Sequence, residues 1–255
     1  MKLSNKTILI TGGATGIGFA IARILTKQNN KVIITGRKLD KLKEAKDQVP
    51  SINFFQCDIA DPVSIDALFE QLKANNIVLD VLFNNAGVIE TWDIAKKELP
   101  SAEIFLKLNT NLAGQVAVTQ RFIRQAVTTK QNFIVNMSSD AAIMPIPIIP
   151  LYSASKAGFN VFTLSLRAQL PDNQFRVIEI YPPATETRMT TTDMVNTGKL
   201  ANPDIFAADV IRNIEAGKLQ YTASPTAKLL RFIRRFFPKS GLKLIDKLSR
   251  KTIQH

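Results

Sequence analysis

The sequence predicts a doubly wound α/β fold, in which a parallel β-sheet lies between two layers of helices. Three observations lead to it. Short β-branched runs alternate with longer amphipathic stretches, the pattern of successive βαβ units. The first run passes directly into a glycine-rich turn and then a helix. The chain has 255 residues, 45% of them hydrophobic and 21% charged, which suits one large domain with a substantial core.

Taken in order, Thr7 to Thr11 reads as a buried strand, followed by a helix from Gly16 to Gln28. Lys31 to Thr35 reads as the second strand, with a helix from Leu39, and Asn53 to Gln56 as the third. Asp61-Pro62 starts the next helix, with aspartate as N-cap and proline at the first helical position. Val78 to Phe83 is the expected fourth strand, and one long helix is expected from Ala102 to Val127. Asn132 to Met137 reads as the fifth strand, Tyr152 to Leu170 as a helix and Phe175 to Ile180 as the sixth strand. Asp204 to Ala216 reads as helical, and Leu219 to Ala223 as a last strand. Residues 1–223 thus form a Rossmann-type, three-layer α/β/α unit, with 224–255 as a basic helical extension. Right-handed crossovers place all the strand C-termini on one edge, where such sheets bind ligands near the switch point in strand order.

Composition removes several alternatives. Cys57 and His255 are the only cysteine and histidine. No internal disulfide is possible, a reducing cytoplasmic setting is expected, and no Cys/His metal site is expected. A Ser-His-Asp hydrolase lacks an interior histidine to serve as base. Met1 to Lys6 is polar and the apolar run after it is short, so no signal peptide is expected. No apolar stretch reaches bilayer length, and Ala141 to Leu151 is broken by Pro145, Pro147 and Pro150. The net charge is +12, but from Ser224 onward nine basic residues stand against Asp246 alone, a local +8.

The turn Thr11-Gly12-Gly13-Ala14-Thr15-Gly16-Ile17-Gly18 lies between the first strand and its helix. Glycines let the backbone turn tightly and approach a ligand, and the helix N-terminus beyond offers free N–H groups to a pyrophosphate. An acid near the end of the second strand would select NAD through the ribose 2′-hydroxyl. Here that strand runs into Gly36-Arg37-Lys38, and a guanidinium suits a 2′-phosphate, which favours NADP(H). The alternative is that Arg37 and Lys38 are solvated charges at a helix start. Asp58 suits either the adenine amino group or a strand-end turn.

Tyr152-Ser-Ala-Ser-Lys156 sets a phenol and an ammonium four residues apart on one helix face. A tyrosine of ordinary pKa, about 10, is a poor acid–base group at neutral pH. A neighbouring ammonium is expected to lower it, making the phenol a proton donor to a carbonyl or an acceptor from an alcohol. Ser139, at the end of the fifth strand, is placed to hold the same oxygen.

Together these residues resemble the short-chain dehydrogenase/reductase family, in its branch of about 250 residues. Thr11-Gly12…Gly16-Ile17-Gly18, Asn84-Asn85-Ala86-Gly87, Ser139 and Tyr152…Lys156 occur in the family's order, over about Lys6 to Gly217. The resemblance implies a catalytic set of Asn111, Ser139, Tyr152 and Lys156: Tyr152 as acid–base, Lys156 as its partner and ribose ligand, Ser139 polarising the substrate oxygen and Asn111 holding a relay water. It implies cofactor contacts from Gly12, Thr15, Gly16, Ile17, Gly18, Arg37, Asp58, Ile59, Asn85, Ala86 and Gly87. Pro182, Thr185 and Thr187 follow the sixth strand in the family's P-G-x-x-x-T position, with Pro183 in place of the glycine. The start Lys2-Leu3-Ser4, Leu39 to Pro50 and Tyr181-Pro-Pro-Ala resemble the oxidoreductases associated with the D-alanyl-lipoteichoic acid operon. Many family members end in a strand and glycine pair that build tetramers. The basic segment here replaces that ending, so a homodimer through the long helices after the fourth and fifth strands is expected.

The apolar run Ala141 to Leu151 suits either an apolar substrate wall or packing under the loop. Arg188 to Pro203 reads as a lid over the site. In the extension, Leu229, Phe232, Ile233 and Phe236 share one helical face and Lys228, Arg231 and Arg235 another, and Leu242, Ile245 and Leu248 continue the stripe beyond Pro238. A basic amphipathic helix suits anionic lipid, or docking on the domain or a second subunit. No nucleic-acid motif is present. The expected activity is hydride transfer between NADP(H) and a small carbonyl or alcohol. The rival is a non-catalytic NADP(H)-binding redox sensor or scaffold.

Overall fold

The structure is a computed structural model that describes residues 2–185, 200–223 and 227–253. Seven parallel strands form one sheet in the order β3-β2-β1-β4-β5-β6-β7. They are β1 (Thr7–Thr11), β2 (Lys31–Gly36), β3 (Asn53–Gln56), β4 (Val81–Asn84), β5 (Asn132–Met137), β6 (Phe175–Tyr181) and β7 (Gln220–Thr222). The described helices are α1 (Gly16–Thr26), α2 (Leu39–Gln48), α3 (Pro62–Ala74), α4 (Ser101–Leu108), α5 (Gly114–Gln125), α6 (Asp140–Ile143), α7 (Pro150–Gln169), α8 (Pro203–Glu215), α9 (Ala227–Phe236) and α10 (Pro238–Ile253). The expected doubly wound, three-layer architecture is the one observed. Among the described residues, no helix is long and apolar enough to cross a membrane.

The central strands are apolar at successive positions because both sheet faces are covered. Side chains alternate between the faces. Ile8, Ile10, Val32, Ile34 and Phe83 join α1 and α8 in one core, which includes Ile21, Leu25, Val210 and Ile214. Leu9, Ile33, Leu82, Ile134 and Val177 point the other way and pack with Leu68, Leu72, Val118, Phe122 and Leu166.

Local chemistry sets the helix starts. The Asp61 side chain accepts from Val63 N with Pro62 in the first turn, as the sequence predicts. Asn202 does the same for α8, accepting from Asp204 N and Ile205 N. β4 begins at Val81, three residues later than expected. Asp80 is used as a brace there: its Oδ2 accepts from Thr7 N at 2.8 Å and its own N–H donates to Thr7 O at 2.8 Å.

The single helix expected from Ala102 to Val127 is interrupted. Asn109–Ala113 forms a π-helical turn between α4 and α5. Such turns recur at functional sites. Gly114, just beyond it, is where the helix meets the loop after β3. A Cβ there would lie 1.8 Å from Ile59 O and 2.9 Å from Asn109 O. Neither neighbour is a flexible side-chain end, so Gly114→Ala must displace backbone. The expected cost is about 1–3 kcal/mol, read from urea unfolding. Unchanged stability would mean that the close approach does not exist.

Candidate active site

A cavity of about 620 Å³ opens at the C-terminal edge of the sheet, across the switch point between β1 and β4. Gly12, Thr15, Gly16 and Ile17 line its floor. Gly12 and Gly16 adopt positive φ, +63° and +56°, which disfavours any residue with a Cβ. Thr15 precedes α1 without capping it through its side chain, so the first-turn N–H groups face the cavity without that partner. Gly18 serves differently. It does not line the cavity; a Cβ there would lie 2.4 Å from Asn85 Nδ2 and 2.5 Å from Gly12 O, so it allows the segments to close on one another.

Asn85, Ala86 and Gly87 form the opposite wall. They are locked to the glycine turn. The Thr11 hydroxyl accepts from Asn85 N at 3.0 Å and Ala86 N at 3.1 Å, and Asn85 Nδ2 donates to Thr11 O and Gly12 O. Asp58 and Ile59 line the cavity next to them, and Asp58 Oδ1 also accepts from Ala60 N at 3.0 Å. Arg37 stands at this end, and Lys38 and Lys41 accompany it. Lys41 was not singled out from the sequence. Its place beside Arg37 depends on the packing of α2, which no motif encodes.

At the other end Ser139, Tyr152 and Lys156 come together with Pro182 and Thr185. Ser139 is the N-cap of α6, and its Oγ accepts from Ala141 N at 3.1 Å. Proline at the start of α7 sets the helix that carries Tyr152 and Lys156. Lys156 Nζ donates to Met137 O at 2.7 Å and lies 5.8 Å from the Tyr152 ring centroid and 5.7 Å from that of Phe159. Burial pushes its ammonium down to about 8, and the charge of Glu179 opposes that shift. The Tyr152 phenol moves the other way from the expected direction. Burial raises its pKa, a hydrogen bond with Ser139 pulls it down, and Asp140 adds to the rise. Burial, rather than the neighbouring ammonium, sets the direction of the shift.

Asn111 lies in the π-turn, buried, and does not line the cavity. Both ends of its amide are committed: Nδ2 donates to Val88 O and Oδ1 accepts from Val88 N, each at 2.8 Å. It therefore pins the loop after β4. Thr185 donates its hydroxyl to Pro183 O at 2.8 Å, which holds the proline-bearing turn. Thr187 and the lid expected from Arg188 to Pro203, as far as Lys199, lie outside the described residues; Leu200 to Pro203 are described.

This end of the cavity is walled by Ala141, Ile146 and Ile149, so the apolar run does face the cavity. Leu230 completes that wall from α9. Ala227 and Leu230 pack on Ala142, Ile143 and Tyr181, and Arg234 donates to Ala142 O at 2.8 Å and Ile143 O at 2.7 Å. The extension thus docks on the domain. The face that docks is not the phenylalanine stripe, which stays exposed.

This geometry, a glycine-floored cavity with a phenol and an ammonium at one end, has counterparts among known proteins. A sequence model described as short chain dehydrogenase matches residues 6–196. The chain belongs to that family. It is an oxidoreductase of a family that binds nicotinamide cofactors. The uncharacterized oxidoreductase DltE of Bacillus subtilis (strain 168) is 38% identical over 190 residues, covering 73% of this chain and 74% of the relative. That likeness agrees with the operon-associated group that the sequence resembles. The NADP-dependent 3-hydroxy acid dehydrogenase YdfG of Escherichia coli (strain K12) is 32% identical over 177 residues, 69% of this chain and 71% of the relative. A short-chain dehydrogenase from Burkholderia cenocepacia J2315, solved in complex with NADP, superposes with a TM-score of 0.81 at 22% identity, covering 96% and 99% of the two chains. One from Streptomyces avermitilis gives 0.81 at 22% identity, over 98% and 99%.

Lys156 supplies a pH test. An unfolded lysine titrates near 10.4, whereas the folded one titrates at about 8. Between these values the unfolded chain holds more protons, so stability rises with pH across that window. Lys156→Met removes this slope. Urea unfolding at about pH 7 and about pH 9.5 should show the wild type gaining on the variant as pH rises. A pH-independent difference would mean that Lys156 titrates normally.

Proposed function

We propose that the protein is an NADPH-dependent reductase of apolar carbonyl compounds. The observation that carries this is one cavity with Arg37, Lys38 and Lys41 at one end and Ser139, Tyr152 and Lys156 at the other. The basic end suits a 2′-phosphate, and the glycine floor, which a Cβ would fill, suits a pyrophosphate. The NADP dependence in the name of the YdfG relative supports the same choice. Residues 1–223 form the catalytic unit and 224–255 an extension that finishes its substrate wall.

When bound, the nicotinamide supplies the hydride that reduces the carbonyl carbon. Tyr152 gives a proton to the carbonyl oxygen. The phenol is protonated at neutral pH, which is the form reduction needs. The Ser139 Oγ receives the Ala141 N–H and also hydrogen-bonds with the Tyr152 phenol, so the two hydroxyls are paired where that oxygen would sit. Lys156 keeps donor capacity beyond its bond to Met137 O, and this holds the cofactor ribose. Asn111 acts through its main chain, because its amide is committed to Val88. Exposed Phe105 on α4 and Val161 and Leu164 on α7 support a homodimer through those helices.

Tyr152→Phe should lower kcat by about 10²–10⁴-fold on a panel of apolar aldehydes and ketones, with the thermal shift given by NADPH retained. Full activity in that variant would refute the acid–base assignment. The wild type should be stabilised by NADPH more than by NADH, through binding to the native state. Arg37→Ala should reduce the NADPH shift and leave the NADH shift in place. Equal shifts with both cofactors would remove the 2′-phosphate argument, and no shift with either would remove the enzyme reading.

A further inference from the structure

The C-terminal helices present an unusual division of faces. The side of α9 and α10 turned to the domain is built from small or partly buried residues: Ala227, Leu230, Ile233 and Gly241. A Cβ at Gly241 would meet Ile233 Cγ2 at 2.2 Å and Met144 Cε at 3.0 Å, so the two helices close tightly there. The large apolar residues point away. Leu229 is 55% exposed, Phe232 53%, Phe236 57% and Phe237 56%. The three phenylalanines form one cluster, with Phe232 4.9 Å from Phe236 and 6.2 Å from Phe237 between ring centroids. Leu242, Leu244 and Leu248 are also exposed on α10.

Cations accompany this patch. The Arg235 guanidinium lies over the Phe236 ring at 5.6 Å. Lys239, Lys243 and Lys247 are exposed on α10. An aromatic centre among cations is the surface that binds the boundary between anionic headgroups and acyl chains. We propose that α9 and α10 form a docking surface for an anionic phospholipid bilayer.

Charge decides against the other occupants. A second copy placed on this face would set one +8 segment against another, with Asp246 the only acid to pair. A nucleic acid would use the cations but leave the phenylalanine cluster and three leucines in water. A bilayer takes both. The proposal does not depend on the oxidoreductase reading.

The test is cosedimentation of the full chain with phosphatidylglycerol–phosphatidylcholine vesicles and with pure phosphatidylcholine vesicles. Binding should be at least about tenfold stronger on the anionic vesicles and should weaken as salt is raised. Two variants dissect it. Phe232→Ser/Phe236→Ser/Phe237→Ser removes the apolar insertion, and Lys239→Glu/Lys243→Glu/Lys247→Glu reverses the charge. Each should lower anionic-vesicle binding about tenfold or more while the melting temperature and the NADPH shift hold, because these side chains are exposed. Equal binding to both vesicle types overturns the proposal. So does binding unchanged in both variants. A solution mass that halves in the phenylalanine variant, with no vesicle binding by the wild type, would assign the face to a second copy. Tighter retention on duplex DNA than on anionic vesicles would assign it to nucleic acid.

Discussion

The Thr11 hydroxyl joins two strand ends where the strand order reverses. It accepts from the N–H groups of Asn85 and Ala86 and donates to Phe83 O at 3.3 Å. Asn85 returns two bonds to Thr11 O and Gly12 O, and Gln115 Nε2 holds Ala86 O at 2.7 Å. The approach is so close that a Cβ on Gly12 would lie 2.8 Å from Ala86 Cα. The glycine floor and the opposite wall are therefore bonded directly to one another. The same logic continues inward. Asn84 Nδ2 donates to Asn136 Oδ1 at 2.9 Å, and Asn136 Nδ2 donates to Thr163 Oγ1 at 2.9 Å. Thr163 is on α7, the helix that carries Tyr152 and Lys156. A chain of buried polar contacts thus ties the helix that carries Tyr152 and Lys156 to the glycine turn.

Features written in short sequence windows were legible. The strand cores, the Asp61-Pro62 start, the glycine turn and the tyrosine–lysine pair each depend on residues within one turn or one strand. Features made by distant segments were not. The π-turn at Asn109–Ala113 has the same apolar spacing as an ordinary helix, and only Gly114 hints at a close crossing. Asn111 reads as a site residue, yet its amide serves Val88, 23 residues away in the chain. The Asp80 brace that delays β4 reaches 73 residues back to Thr7. Leu230 reaches the cavity only because α9 folds back over α6. The direction of the Tyr152 shift is set by burial, which the spacing of Tyr152 and Lys156 does not show.

Two ionisable groups are buried behind the reacting end, and each is matched by its surroundings. Glu179 is fully buried, and burial raises its pKa. Asn160 Nδ2 donates to both of its oxygens at 2.9 and 3.0 Å and reaches the Tyr181 hydroxyl at 2.8 Å. Glu179 pairs in register with Asn136, one residue before Met137, whose carbonyl receives Lys156. Its negative charge offsets part of the burial penalty on the ammonium. A lysine at about 8 is still mainly charged at neutral pH, whereas stronger burial without an acid would neutralise it. The acid thus opposes the loss of charge that burial imposes on the lysine.

The extension is tied into this arrangement. α6 is a four-residue helix, too short to be stable by itself. Ser139 caps its N-terminus, and Arg234 satisfies the carbonyls of Ala142 and Ile143 toward its C-terminus. Arg231 lies 5.3 Å from the Tyr181 ring centroid, beside the Glu179–Asn160 cluster. One helix therefore supports the serine's mount, lines the cavity through Leu230 and turns its phenylalanines to the outside. Removing it would expose the wall and unseat α6 together, so damage to activity from truncation could not be assigned to the outer face. Substitution of the exposed phenylalanines separates the two roles, because the inner contacts of Ala227, Leu230 and Arg234 stay in place.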